Sequence, residues 1–301
     1  MLEDIFDEDE FVEVASFEEL QDAVQRRMYE YDTTPQDELG GLSPRQAFLL
    51  LNTDWPGPDN PITVHNNFSD AEANDVRIVN NSRILLETAR SEGGLPATAA
   101  GHLKRGVVSD FLDCMDFDPL QVYIIRKSHE VINEEHFRSL YTLRVSLEDA
   151  DLLEYTGGQF HPTSKAINLL EPGRAADLMR NLFVSYFKDF NVSYSSSDEG
   201  LTEIQETIPY TLYQLSKFDN EWHEEEDFIN PLIIHTIKRM FKGKNESSLK
   251  HYYRGVVLNP LEKFELVDSR RVGEGGLHEK SLQYRKTPLF DRFMQFDLPL
   301  S

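Results

Sequence analysis

One cysteine, Cys114, stands in 301 residues, so no disulfide can close within the chain and no zinc site built on several thiolates can form. Apolar stretches such as PLIIHTI fall far short of the roughly 20 residues that span a bilayer. The first residues are acidic, where a secretory leader would need a basic start and an apolar segment. These absences point to a cytoplasmic protein that does not engage a membrane. The common catalytic signatures are missing too: there is no GxxxxGK[ST], no GxGxxG, no GxSxG and no HExxH. No metal, cofactor or catalytic residue is expected. A catalytic cysteine needs a base beside it, and Cys114 on an apolar helix flank reads as a small buried side chain. An enzyme whose groups converge from distant segments stays open.

Core material is plentiful. Apolar residues make up 40% of the chain and aromatics 11%, with 19 Phe and 12 Tyr, too much for a disordered polypeptide. The net charge is −23, and it is unevenly spread: residues 1–30 carry a net −9, residues 231–301 a net +5. An acidic surface repels phosphate backbones, so only the last quarter is suited to nucleic acid.

Four stretches emerge from the pattern. Residues 1–15 are an acidic tail. Residues 16–75 hold two helices and a Pro-rich loop. The first helix is opened by Ser16 with Glu19 and carries Phe17, Leu20, Val24, Met28 and Tyr31 on one face. The second is capped by Ser43 and Pro44, and DWPGPDNPIT ends it.

In 76–191, Ile78, Ser82, Leu85, Leu86 and Ala89 mark one helix, stopped by Gly93-Gly94. LPAT is short and extended. Leu103 to Met115 line a second helix, QVYIIRK is a strand or an insertion, and Phe137, Leu140, Tyr141 and Leu147 mark a third helix. LLEY and QFHPT then flank Thr156-Gly157-Gly158, which is hairpin chemistry, and Thr163 or Ser164 caps a short helix behind it. Helix, strand, helix, helix, hairpin is the order of a winged helix, placed at 76–171. An unbroken apolar stripe from Ala175 to Phe190 reads as core.

The same order returns within 192–301, at 209–287. One helix runs from Pro209 to Leu215, a second is lined by Ile229 to Met240, and a third covers Ser247 to Leu258. A long hairpin comes next, with Gly273, Gly275 and Gly276 at its tip. The fold class expected is therefore mainly α with small β-hairpins (α+β).

Several segments resemble an uncharacterised bacterial protein family, some members of which are fused to a SEC-C metal-binding motif or a plasmid-type open-reading-frame domain. They are GGLPATAAGHL, LLEYTGGQFHPTSKAINLL, YFKDFNVSY, YTLYQLSKFDNEW and RKTPLFDRF. The resemblance implies no known activity, and this chain lacks the SEC-C cysteines.

Two surfaces are candidates. Arg138, Arg144, Glu148, Asp149, Glu154, Tyr155 and Phe160 surround the first hairpin, which has no Lys or Arg and so suits a protein partner better than phosphate. Lys238, Arg239, Lys242, Lys244, Lys250, Arg254, Arg270, Arg271, Lys280 and Arg285 interleave with tyrosines in 238–286, as nucleic-acid contacts do, or they pair with the chain's own acids. The cluster DNEWHEEED reads as a solvated helix start, because consecutive acids point to different sides. The leading expectation is a non-enzymatic interaction protein, and the alternative is a nucleic-acid-binding regulator.

Overall fold

The computed structural model describes residues 17–189, 201–241, 246–273 and 281–299. The acidic tail, the Ser16 cap, Phe190, the stretch 192–200, Lys242, Lys244, Lys280, Gly275 and Gly276 lie outside these. The fold is mainly helical, with three small antiparallel sheets among the described residues.

Helix α1 (Phe17–Thr33) buries no side chain, and Phe17, Met28 and Tyr31 on its apolar face are exposed. In α2 (Pro44–Asn52) the Ser43 hydroxyl accepts the Gln46 amide while the Gln46 side chain accepts the Ser43 amide at 2.9 Å. This reciprocal box, with Pro44 in the first turn, satisfies donors that the helix leaves unpaired. Strand β1 (Ile62–Val64) and α3 (Asp70–Asp75) come next.

Helix α4 (Arg77–Ser91) buries Ile78, Ser82, Leu85, Leu86 and Ala89, and the chain turns at Gly93 and Gly94. Gly94 has φ +125°, and a Cβ there would sit 2.5 Å from the His161 ring, so both backbone and space require glycine. Beyond it lie β2 (Leu95–Pro96), α5 (Arg105–Cys114), α6 (Pro119–Ser128) and α7 (Arg138–Asp149). A hairpin of β3 (Leu153–Thr156) and β4 (Gln159–Pro162) closes the unit, and Gly157 and Gly158 take φ +59° and +82° at its turn. The sheet order is β2-β4-β3.

QVYIIRK corrects the sequence expectation: it is helical throughout, inside α6. The Asp118 carboxylate accepts the Leu120 amide at 2.9 Å, and Pro119 occupies the first turn. A strong helix start outweighs the β preference of the residues behind it.

The Thr163 hydroxyl caps α8 (Ser164–Leu169). Then α9 (Ala175–Val184) runs on as a π-helix through Asp189. The expected stripe from Ala175 to Phe187 is interior. The Phe183 ring meets Phe187, Phe264, Phe293 and Trp55 with centroids 4.8–6.3 Å apart, so one core is shared by segments from the whole chain.

After α10 (Leu201–Glu206) the order repeats: α11 (Ile208–Ser216), β5 (His223–Glu224), α12 (Glu225–Leu232), α13 (His235–Met240) and α14 (Glu246–Tyr253). A π-helical turn (Arg254–Leu258) joins α14 to α15 (Asn259–Lys263), ahead of the hairpin β6 (Val267–Val272) and β7 (Ser281–Lys286). The helix expected across Ile229–Met240 is two helices, because Ile233 and Ile234 are extended behind Pro231. The sheet order β5-β7-β6 copies that of the first unit.

The copy extends to single residues. Leu95 opposes Phe160 and His223 opposes Tyr284; Leu153 opposes Pro162 and Val267 opposes Lys286. Asp151 and Glu265, both with φ +56°, make the same turn into the hairpin. Each is succeeded by a leucine whose amide bonds back to a leucine carbonyl, Leu152 to Leu147 and Leu266 to Leu261. The Thr163 and Thr287 hydroxyls then bond the carbonyls of Asp151 and Glu265, both at 2.7 Å. QFHPT and QYRKT are thus equivalent strands. After α16 (Pro288–Phe293), β8 (Met294–Phe296) pairs with β1 and ties the C-terminal end to the N-terminal segment.

Candidate functional site

The first hairpin face is organised by an interior ion cluster. Glu134 is fully buried on a short 3-10 turn before α7, and its carboxylate accepts the Leu103 amide at 2.8 Å and the Arg144 guanidinium at 2.6 Å. Arg144, 4% exposed, also donates to Glu148. Burial pushes the Glu148 carboxyl above its ordinary value, and the Arg144 charge opposes that shift. The guanidinium lies 4.7 Å from the Phe160 ring centroid and 5.2 Å from that of Tyr141. Phe160 is 1% exposed and touches Tyr155.

Two of the residues expected on a contact surface are therefore interior. Arg144 and Phe160 hold the hairpin onto α7 and are corrected from contacts to supports. A buried carboxylate demands a buried cation, and Glu134 supplies the demand. The accessible surface carries Tyr141 (38% exposed) and Tyr155 (47% exposed); Glu135, Asp149 and Glu154 are exposed too, Glu154 on the other side of β3 from Tyr155, and Arg138 also lines a cavity between α6 and α7. Tyr141 stands beside the His102 ring, which lies 3.2 Å from Glu135. The face is aromatic and predominantly acidic.

On the second unit three of the bases pair with acids. Lys250 pairs with Glu226, Arg254 with Glu225, and Arg285 with Asp268 at 2.7 Å. Glu225 and Glu226 belong to DNEWHEEED, and Asp219 of that stretch bonds the His223 ring at 2.8 Å. Arg270 and Arg285 stack on Trp222, with centroid distances of 4.2 and 4.6 Å. Lys238, Arg239 and Arg271 are exposed.

Cys114 is exposed, contrary to expectation, because it ends α5 one position off the stripe of Phe111 and Met115. Loss of water and the charges of Asp110 and Asp113 push its thiol above the ordinary value, away from nucleophile behaviour.

A third feature is a cavity of about 580 Å³ walled by α4, α6, α7, Tyr186 and α15. Its lining includes Arg138, Tyr186, Glu262 and Lys263 together with Phe117, Leu120 and Ile124. Lys263 is partly buried, and loss of water, aided by the Arg138 charge, lowers its ammonium below the ordinary lysine range. Burial pushes Tyr186 up to about 12.

Residues 74–175 match the family model of the Y4jL N-terminal domain. No curated protein and no solved structure matches the chain. The Y4jL-like segment opens at the end of α3 and closes at the first residue of α9, so it contains the first helix-and-hairpin unit entire. GGLPATAAGHL and LLEYTGGQFHPTSKAINLL both fall inside it, whereas YFKDFNVSY, YTLYQLSKFDNEW and RKTPLFDRF lie beyond.

Within the Y4jL-like segment the sequence alone hid Glu134, His102 and Tyr141 as parts of the hairpin face. Glu134 and His102 have no spacing signal: Glu134 reaches Arg144 through a 3-10 turn, and His102 arrives from the loop before α5; Tyr141 was read as part of the third-helix stripe yet is exposed. Trp222 and Lys263, outside the segment, were equally silent.

Proposed function

We propose that the chain is a non-enzymatic docking protein of winged-helix type, whose Y4jL-like segment grips a protein partner through the hairpin Leu153–Pro162 and the adjoining face of α7. The element order, with the short strand paired to the second hairpin strand, supports the winged-helix reading. The observation that supports the docking reading is the character of that surface: two half-exposed tyrosines, Glu135 bonded to the His102 ring beside Tyr141, the exposed acids Asp149 and Glu154 on the adjoining helix and hairpin, and no lysine or arginine on the hairpin. Tyrosine supplies contact area at low entropic cost and a ring face for cations. Acids around it favour a partner segment rich in lysine or arginine and repel phosphate backbones.

The alternative contact face at 238–286 is less favoured, because Glu225, Glu226 and Asp268 already neutralise three of its bases. Affinity purification with the protein and with a Glu135→Lys, Asp149→Lys, Glu154→Lys variant of unchanged melting temperature tests the reading. Protein partners retained by the first and lost by the second are expected. An identical partner set, or recovery that depends on intact nucleic acid, would overturn it.

A further inference from the structure

We infer that the cleft between α8 and α9 is a binding site for a small phosphomonoester that carries hydroxyl groups, a sugar phosphate or a nucleotide. It shares no residue with the docking face, and the two readings fail independently.

The cleft holds about 550 Å³, within the range of roughly 300–1,000 Å³ typical of small-molecule sites. Helical periodicity gathers its walls. On α8, Lys165, Asn168 and Leu169 stand three and four residues apart and so share a face. On α9 and its π-helical continuation, Asp177, Arg180, Asn181, Val184 and Lys188 do the same. Arg174 enters from the turn between the two helices, and Pro56 from the loop behind α2. Pro56, Leu169 and Val184 supply the apolar part of the lining.

Charge balance then selects the ligand. Four cations line the cleft against one carboxylate, in a chain whose net charge is −23. Arg174 is paired with that carboxylate, Asp177, which also accepts the Asn66 amide; Lys188 is paired with Asp54 at 2.6 Å. Lys165 and Arg180 are not neutralised. The Lys165 ammonium donates to the Ala150 carbonyl at 2.6 Å and Arg180 Nε to the Val64 carbonyl at 2.9 Å, and among the described residues neither forms an ion pair. A carbonyl orients a cation without cancelling its charge. Both terminal amines of Arg180 and the other ammonium hydrogens of Lys165 therefore stay available to an anion. A phosphomonoester carries close to two negative charges at neutral pH and three acceptor oxygens, which matches these two cations. Asn181 adds a second requirement: its Oδ1 is buried with no hydrogen-bond partner among the described residues. A buried polar group left unmatched is unfavourable, and a hydroxyl near the phosphate supplies the missing bond. That favours a hydroxylated ester over a bare alkyl phosphate.

The test titrates the full chain by calorimetry with ribose 5-phosphate, AMP, methyl phosphate and ribose. At least one of the first two should bind, and methyl phosphate and ribose tenfold or more weakly; the tighter ester tells sugar phosphate from nucleotide. Lys165→Gln with Arg180→Gln keeps a donor for each carbonyl and removes both charges, so the ester should bind at least tenfold more weakly at an unchanged melting temperature. Should the double variant fail to fold, each single replacement takes its place and should weaken binding threefold or more. Asn181→Leu, or Asn181→Ala if the leucine does not fit, should bring the ester down to the level of methyl phosphate. The inference is overturned if neither ester binds at millimolar concentration, if methyl phosphate or ribose binds as tightly, or if the glutamine variants keep the parent affinity. Retention of the preference over methyl phosphate in the Asn181 variant would overturn the hydroxyl requirement, and with it the class of ligand.

Discussion

Replacing Arg144 with methionine probes how the first hairpin is held. Methionine keeps most of the stem packing against Phe160 and removes only the charge and its hydrogen bonds. The fully buried Glu134 carboxylate is then left with the Leu103 amide and the His102 ring 3.5 Å away, and Glu148 loses its partner too. Stranding one member of a buried pair costs about 3–5 kcal/mol. At roughly 2 °C per kcal/mol for a chain of this size, the melting temperature falls by about 6–10 °C. Differential scanning calorimetry reads that fall, and hydrogen exchange should show the β4 amides losing protection first. The control is Glu134→Gln with Arg144→Met. Glutamine still accepts the Leu103 amide and buries no charge, so at least half of the loss returns. A single variant that melts within about 2 °C of the parent, or a double variant no better than the single, would refute the idea that this cluster pins the hairpin.

Tyr253→Phe removes a buried hydroxyl that donates to Thr211 at 2.8 Å and lies 3.2 Å from the Leu232 carbonyl; urea unfolding should show a loss of about 1–2 kcal/mol. Gly94→Ala forces a Cβ onto His161 at a φ that only glycine adopts easily, and thermal melts should show a loss of about 1–3 kcal/mol. Lys263→Met should raise stability at pH 7, where the native state carries an ammonium that gives up its proton more readily than in the unfolded chain. As pH climbs through the lowered native value towards 10.5, the native lysine deprotonates first. The parent then gains on the variant, so the difference in melting temperature shrinks between pH 7 and pH 10.

Legibility tracked the range of the interaction. Local signals were read well: Ser43-Pro44 starts a helix, Gly157-Gly158 turns a hairpin, and Thr163 caps α8, each within four residues. QVYIIRK misled because its β-branched residues stand out more than the Asp118-Pro119 start before them. The repeated order of elements was visible, yet its register was not. QFHPT and QYRKT are recognised as equivalent only once Phe160 and Tyr284 are seen opposite Leu95 and His223. Charge patterns failed most clearly. Arg144 reads as a surface base until Glu134, ten residues earlier, is seen folded beneath it. Likewise the acids of DNEWHEEED are the partners of Lys250 and Arg254, a pairing no spacing rule reveals.

Placing a photo-crosslinking amino acid at Tyr155 reads the docking claim directly, with the same group at Phe48, an exposed position on α2, as reference. In cells that make the protein, irradiation should join Tyr155 to a discrete protein partner, resistant to nuclease treatment, with no such adduct from Phe48. Equal labelling at the two positions, or adducts at Tyr155 made only of nucleic acid, would contradict the account.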